Sequence, residues 1–137
     1  MVDSRTILLV DDDKVDVMTV KRAIRKLNIS NPLEVTSNGE EAIAYLKDPN
    51  KASPGLILLD INMPRMNGIE FLREREKDVS LKKIPVIMLT SSREDQDRLD
   101  SFQHSIAGYM IKPVNFPQFL DMMETIKGYW SLSEIAD

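Results

Sequence analysis

Short apolar runs that alternate with amphipathic segments constrain the fold of this chain more than any other feature. Continuous runs lie at 7–10, 56–59, 86–89 and 109–111, and a further short strand is predicted at 33–36. Helices are predicted at 14–27, after the turn at 37–39, and at 69–78, 93–102 and 115–127. Such runs are typical of strands buried on both faces. Five strands that alternate with five helices predict an α/β fold, with a parallel sheet covered on both faces through right-handed crossovers.

Composition narrows the classes of protein that this chain can be. Its 137 residues fit one domain with a real core. A net charge of −4 argues against nucleic acid as the main partner, and the absence of cysteine excludes disulfides and thiolate metal sites. No apolar run approaches membrane-spanning length, and the charged start is too short for a signal peptide. We therefore expect a cytoplasmic protein with no membrane contact.

Polar residues follow four of the predicted strands. They are Asp11, Asp12 and Asp13 after the first strand, Asp60 after the third, Thr90 and Ser91 after the fourth, and Lys112 after the fifth. In an open parallel sheet, ligands bind at the carboxyl ends of the strands. We therefore expect these side chains to converge at one edge of the sheet.

Carboxylates gathered in this way repel one another unless a proton or a cation neutralises them. An all-oxygen site suits Mg²⁺, with Mn²⁺ as a substitute. Lys112 would add a second positive charge, and the Thr90 hydroxyl could donate to a phosphoryl oxygen. A carboxylate can act as the nucleophile and form an aspartyl-phosphate. This set of residues therefore predicts phosphoryl chemistry.

Four motifs occur in an order that resembles the receiver domain of response regulators in two-component signalling. They are Leu9-Val10-Asp11-Asp12, the stretch from Leu59 to Gly68, Leu89-Thr90-Ser91, and Tyr109-Met110-Ile111-Lys112-Pro113. The resemblance covers roughly residues 7–127. It implies a flavodoxin-like (βα)5 three-layer sandwich whose parallel five-stranded sheet has the order 2-1-3-4-5.

The resemblance also implies roles for the acidic residues. Asp60 would be the phosphoacceptor, phosphorylated by a sensor histidine kinase or a phosphotransfer protein. The metal would be bound by Asp12 directly and by Asp11 through water, together with Asp60 and the backbone carbonyl of Asn62. Asp13 is better explained as a helix N-cap, and the same capping role remains an alternative for Asp11 and Asp12.

The remaining motif residues would sense the phosphoryl group. Thr90 and Lys112 would contact it, and the bond before Pro113 would be cis. Thr90 would move toward the phosphate and Tyr109 would turn inward, which alters the face formed by helix 93–102, the fifth strand and the last helix. Ordinary roles as a helix cap, a solvated lysine and a strand aromatic remain the alternatives for Thr90, Lys112 and Tyr109.

The output is expected to be protein binding, because no effector domain fits after the last helix. We predict one receiver domain over 1–137, with a core at about 6–128 and a tail at 129–137. The apolar arc of the last helix is wider than one core face requires, so Phe119, Met122, Tyr129 and Trp130 could form an interface. A homodimer through the face of helix 93–102, the fifth strand and the last helix is one candidate. A tail that folds back over the arc is an equal alternative. The aromatic-Trp ending also resembles, more weakly, small response regulators partnered with bacterial phytochromes.

Two other functions compete with a phosphorylated switch. A Mg²⁺-dependent phosphohydrolase with an aspartate nucleophile usually has a second acidic residue two positions later, where this chain has Asn62. A pseudo-receiver that only binds partners would lack Asp12, Asp60 or Lys112, and all three are present. We therefore expect no enzyme activity beyond self-catalysed phosphotransfer and autodephosphorylation. The charged stretch 73–77 is interpreted as a solvated helix face.

Overall fold

A computed structural model of the chain describes residues 5–90, 106–111 and 116–136, with only the backbone at 90, 109–111 and 129–136. The strands are β1 (Ile7–Val10), β2 (Leu33–Thr36), β3 (Leu56–Asp60), β4 (Val86–Thr90) and β5 (Gly108–Ile111). The helices are α1 (Lys14–Lys26), α2 (Gly39–Lys47), α3 (Gly68–Glu76), the short α4 (Val79–Lys82) and α5 (Phe116–Ala136). The helix predicted at 93–102 lies outside the described residues.

The strands form one parallel sheet in the order β2-β1-β3-β4-β5. In the register of the sheet, Val10 of β1 pairs with Leu59 of β3, and Asp60 pairs with Leu89 of β4. The prediction of an α/β fold built on a parallel sheet is confirmed. Because all strands run the same way, their carboxyl ends lie along one edge.

Helices cover both faces of the sheet, as two separate apolar clusters show. Leu8, Val10, Ile57 and Leu59 pack with residues of α2, α3 and α4. Ile7, Leu9, Leu56 and Leu58 pack on the opposite face with residues of α1 and α5. Successive side chains of a strand point to opposite faces, so the inner strands need apolar residues at every position. This explains why β1 and β3 are continuous apolar runs.

The region predicted as one helix at 69–78 contains the end of one helix and the cap of a second. The helix α3 ends at Glu76, and Asp78 instead caps the short α4, where its side chain accepts from the amides of Ser80 and Leu81. The apolar spacing continues across the break, since Leu81 is also buried. A capping carboxylate therefore starts a new helix where periodicity alone predicts one longer helix.

The interpretation of stretch 73–77 as a solvated helix face is wrong at Arg75. That side chain is only 2% exposed. Its Nη2 donates to the backbone carbonyls of Lys82 at 2.9 Å and Ile84 at 2.8 Å. The guanidinium therefore joins α3 to the segment that enters β4. The bond to Lys82 satisfies a carbonyl at the end of α4, which a helix leaves without an intrahelical partner.

The last helix differs from the prediction in its length and in two of the residues expected to be exposed. It continues to Ala136, so the predicted end near Lys127 and the separate tail from 129 are wrong, as is the alternative of a tail that folds back. Its buried residues are Phe119, Met122, Met123 and Ile126. The interface role predicted for Phe119 and Met122 is therefore wrong, because both side chains pack in the core against β1, β3 and α1. The interface role of Tyr129 and Trp130 stays a prediction.

Polar and cation–π contacts join α1 to α5 on the face of the sheet that these two helices cover. The Arg22 guanidinium lies over the Phe116 ring at 4.0 Å, and the Lys127 Nζ donates to the carbonyl of Leu27 at 3.0 Å. Leu27 is the C-cap of α1, where carbonyls lack helical partners.

Among the helices that the structure describes, none has the length and apolar character needed to cross a membrane.

Candidate functional site

Three carboxylates meet at the carboxyl edge of the sheet. One oxygen from each of Asp11, Asp12 and Asp60 lies within 4.8 Å of the others. Asp11 is 1% exposed and Asp60 is 9% exposed, whereas Asp12 is open to solvent. The predicted convergence of these three residues is therefore observed. Two of the three negative charges lie where solvent screens them poorly.

The register of the sheet explains why these residues meet. Asp11 follows Val10, and Val10 pairs with Leu59, the residue before Asp60. The amide of Asp11 donates to the carbonyl of Thr36 at 3.0 Å, which continues the contact between β1 and β2 by one residue. One carboxylate oxygen of Asp11 accepts from the amide of Asp13 at 2.9 Å. Neighbouring strands therefore carry Asp11 and Asp60 to the same point.

Asp13 has a different role from the other two aspartates of its run. It is the N-cap of α1 and accepts from the amides of Val15 at 2.8 Å and Asp16 at 3.3 Å. The prediction that Asp13 caps the helix is confirmed. The alternative that Asp11 or Asp12 serves as this cap is wrong, which leaves their carboxylates to the acidic cluster.

The loop from Ile61 to Asn67 carries the predicted carbonyl ligand of Asn62. Its two ends are joined by a hydrogen bond from the amide of Gly68 to the carbonyl of Ile61 at 2.9 Å. Asn67 and Glu70 form a capping box that starts α3. Arg65 has a φ of 65°, a backbone conformation that side chains other than glycine rarely adopt. The loop beside Asp60 is thus closed at its base by one hydrogen bond and contains one strained residue.

Close packing of this loop depends on glycines that the sequence interpretation left without a role. A Cβ at Gly68 would lie 2.6 Å from the carbonyl oxygen of Asp60, and a Cβ at Gly39 would lie 2.6 Å from the Cγ of Met66. The signal available in the sequence was only the presence of a glycine at a predicted helix start. The amino-acid sequence does not indicate that the start of α2 contacts this loop.

The donor set fits a hard divalent cation. Asp11, Asp12 and Asp60 offer only oxygen atoms, and they lie close enough to bind one ion together. Mg²⁺ and Mn²⁺ prefer carboxylate, carbonyl and water oxygens, and the exposed side of Asp12 leaves room for water. Bringing three negative charges together is unfavourable without a cation. These residues therefore could hold such an ion.

The structure describes the other predicted site residues only in part. The backbone of Thr90 ends β4 and pairs with Ile111, so it lies on the same edge as Asp60. The backbone of Tyr109 lies in β5, and those of Tyr129 and Trp130 lie in α5. Lys112 and Pro113, with its predicted cis bond, lie outside the described residues. Their roles remain predictions.

Comparison with known proteins identifies the family. Residues 7–124 match the response regulator receiver domain. The chain belongs to this family. Family membership accounts for the acidic cluster at the carboxyl edge, and it makes the domain a signalling module of two-component systems. The resemblance seen in the four sequence motifs is thereby confirmed.

This receiver domain is also similar to individual response regulators. It is 33% identical to the response regulator Rcp1 of Synechocystis sp. over 92% of this chain and 88% of that protein. The phosphorylated cyanobacterial phytochrome response regulator RcpA superposes with a TM-score of 0.83 at 32% identity, over 93% of this chain and 94% of that chain. A Mn²⁺-bound form of Rcp1 superposes with a TM-score of 0.82 at 33% identity and the same coverage. The similarity to phytochrome-partnered regulators is confirmed.

Proposed function

We propose that this receiver domain is a phosphorylated switch that accepts a phosphoryl group on Asp60 from a histidine kinase or a phosphotransfer protein. The observation that carries the proposal is the convergence of Asp11, Asp12 and Asp60 within 4.8 Å, two of them buried. A carboxylate oxygen of Asp60 would attack the phosphorus of a phosphohistidine. The new O–P bond forms as the N–P bond breaks, and the imidazole leaves with the electron pair of that bond.

Asp11, Asp12, Asp60 and the backbone carbonyl of Asn62 would hold Mg²⁺, or Mn²⁺ in its place. When bound, the ion would neutralise negative charge on the phosphoryl oxygens and on the carboxylates. Asp60 is the proposed nucleophile because it ends the central strand β3, which lies between β1 and β4, and because it pairs with Leu89 of β4. Thr90 and Lys112 are the proposed contacts to the phosphoryl group from the neighbouring strand ends.

An apolar pair on α1 supports docking of the phosphodonor beside this edge. Val15 is 70% exposed and Met18 is 69% exposed, and the two lie one turn apart just after the cap Asp13. Neighbouring exposed apolar residues of this size indicate a binding surface. A donor helix that packs on this pair would bring its histidine near Asp60.

We propose that the output is a change in protein contacts. Thr90 and Tyr109 would couple the phosphoryl group to the face formed by 93–102, β5 and α5, since a ligand shifts the state that it binds better. A downstream protein or a second copy of the chain would bind there, with Tyr129 and Trp130 in the contact. The 21 residues of α5 extend over about 30 Å, roughly twice the length of β5, so the helix offers surface past the sheet.

The test is phosphorylation by a small donor. With Mg²⁺ and acetyl phosphate, the wild type should gain one acid-labile phosphoryl group by mass spectrometry, and Asp60→Asn should gain none. Asp13→Asn is the matched control, because asparagine also caps a helix and the change in charge is the same. Labelling of Asp60→Asn at the wild-type level would contradict the proposal. Turnover of many equivalents of a phosphoester would instead indicate the phosphohydrolase.

Dimer formation is tested by light scattering with and without beryllofluoride, which mimics the phosphoryl group. A mass that doubles only with beryllofluoride supports a phosphorylation-dependent dimer. A Trp130→Ala variant should then remain monomeric while it still binds beryllofluoride. An unchanged monomer mass in both conditions would exclude the dimer and leave a different protein as the target.

A further inference from the structure

The loop that carries Asn62 is held by a residue that lies far from it in the sequence. The amide of Gly39 donates to the carbonyl of Met66 at 2.8 Å. Gly39 is the buried first residue of α2, and it follows β2, which lies at the far side of the sheet from β4. The first amides of a helix have no intrahelical acceptor, so this bond also satisfies one of them.

The contact between Gly39 and Met66 leaves no room for a side chain at position 39. A Cβ at Gly39 would lie 2.6 Å from the Cγ, 2.8 Å from the carbonyl oxygen and 2.9 Å from the Cβ of Met66. Among the described glycines none has a positive φ, so the backbone conformation of Gly39 does not demand glycine. The requirement is space. The Met66 side chain could rotate its Cγ away, but the carbonyl oxygen can move only with the loop.

The start of α2 is fixed, so the loop must yield rather than the helix. The side chain of Asn38 is 4% exposed and accepts from the amide of Glu41 at 2.9 Å. The Glu41 carboxylate accepts in turn from the amide of Ser37 at 3.0 Å. These two bonds hold the helix end, whose positive pole lies at the Met66 carbonyl.

Two anchors therefore bracket the carbonyl of Asn62. One is the bond between the amide of Gly68 and the carbonyl of Ile61, and the other is the bond between Gly39 and Met66. We infer that Gly39 is a positioning residue for the metal-binding loop and acts through the carbonyl of Met66. This inference rests on the proposed function, in which the carbonyl of Asn62 is a metal ligand. Because coupling between two sites is reciprocal, metal binding should also strengthen the Gly39–Met66 contact.

The test compares two glycine-to-alanine variants of the full chain. Titration calorimetry with Mg²⁺ should show a Kd raised about tenfold in Gly39→Ala, the size typical for loss of a contact that orients a ligand. Gly128→Ala is the control, because nothing lies within 4 Å of a Cβ at Gly128. Its Kd should equal that of the wild type. An unchanged Kd in folded Gly39→Ala would overturn the inference.

A second measurement needs no variant and decides the matter if Gly39→Ala fails to fold. Hydrogen exchange of the Gly39 amide in the wild type should slow when Mg²⁺ binds, and by a larger factor than exchange of the Ala42 amide, which donates to Asn38 within the same helix end and reports the general stabilisation of the fold. Equal slowing of the two amides, or equal exchange of Gly39 with and without Mg²⁺, would overturn the inference. A wild type that binds no Mg²⁺ would instead contradict the proposed function itself.

Discussion

Thr36 ends β2 with its backbone carbonyl bonded to the Asp11 amide, but its buried hydroxyl has no hydrogen-bond partner within the described residues. A buried hydroxyl without a partner retains its full desolvation cost. We expect Thr36→Val, which keeps the shape, to raise the free energy of unfolding by about 1 kcal/mol in urea titrations.

The control for this prediction is Thr19→Val. The Thr19 hydroxyl donates to the carbonyl of Val15 at 2.9 Å and lies at the surface of α1, so its loss should give no such gain. A lower free energy of unfolding for Thr36→Val would show that the hydroxyl stabilises the native state. The backbone bond to Asp11 should persist in either case.

Arg75 is a second buried polar residue, and here the partners are known. Its guanidinium donates to the carbonyls of Lys82 and Ile84, and burial lowers the pKa of Arg75 while Glu76 opposes that shift. An arginine stays protonated at neutral pH even so. We expect Arg75→Met to lower the free energy of unfolding by about 3 kcal/mol, because two carbonyls lose a charged donor.

Arg73→Met is the matched control for Arg75→Met. Arg73 lies two residues earlier on α3 and is exposed, so its replacement should change the free energy of unfolding by less than about 0.5 kcal/mol. Equal effects of the two substitutions in urea titrations would mean that burial and the two bonds of Arg75 contribute nothing specific.

At the scale of elements, α1 has a buried face and an exposed apolar pair, which we propose as the docking surface. Its buried residues Val20, Ala23 and Ile24 pack on the sheet, and Val15 and Met18, in the two turns that follow the cap Asp13, are exposed. We expect the double variant Val15→Gln and Met18→Gln to slow phosphotransfer from a phosphodonor protein at least about tenfold, because each lost apolar contact weakens docking. Labelling by acetyl phosphate should not change, since that donor needs no docking surface.

The control for the docking prediction is Val79→Gln. Val79 is 75% exposed but lies in α4, which precedes β4 and so sits at the opposite edge of the sheet from Asp60. Stopped-flow or radiolabel transfer from a kinase that phosphorylates the wild type should be normal in this variant. A double variant that accepts phosphate from that kinase at the wild-type rate would refute docking on α1.

At the scale of the whole molecule, metal binding should stabilise the fold. An ion that binds only the native state adds about 2.7 kcal/mol to the free energy of unfolding at one hundred times its Kd. We expect Mg²⁺ to raise the Tm of the wild type. The increase should shrink strongly in Asp12→Asn and Asp60→Asn, which remove carboxylates of the cluster, and persist in Asp13→Asn, which keeps the helix cap. The same rise in Tm for all four proteins would point to an ionic-strength effect.

The sequence alone predicted those features that depend on local pattern and on strand direction. The bounds of β1 and β2 match the structure because each run ends abruptly at polar residues. Asp11, Asp12 and Asp60 could be assigned to one site before any distance was known, since parallel strands place their ends together. The sequence interpretation failed where apolar residues exceed one helix face, as in α5, because periodicity then leaves the buried direction undetermined.

The chain's own order of residues thus determined the parallel α/β fold and the acidic edge, through the alternation of apolar runs and the polar residues after them. Only the tertiary structure decided that Arg75 is buried, that Phe119 and Met122 belong to the core, and that Gly39 meets Met66. The physical reason is that these contacts join a donor, an acceptor or an apolar surface to a neighbour on another element. Secondary-structure propensity does not predict which elements pack against one another.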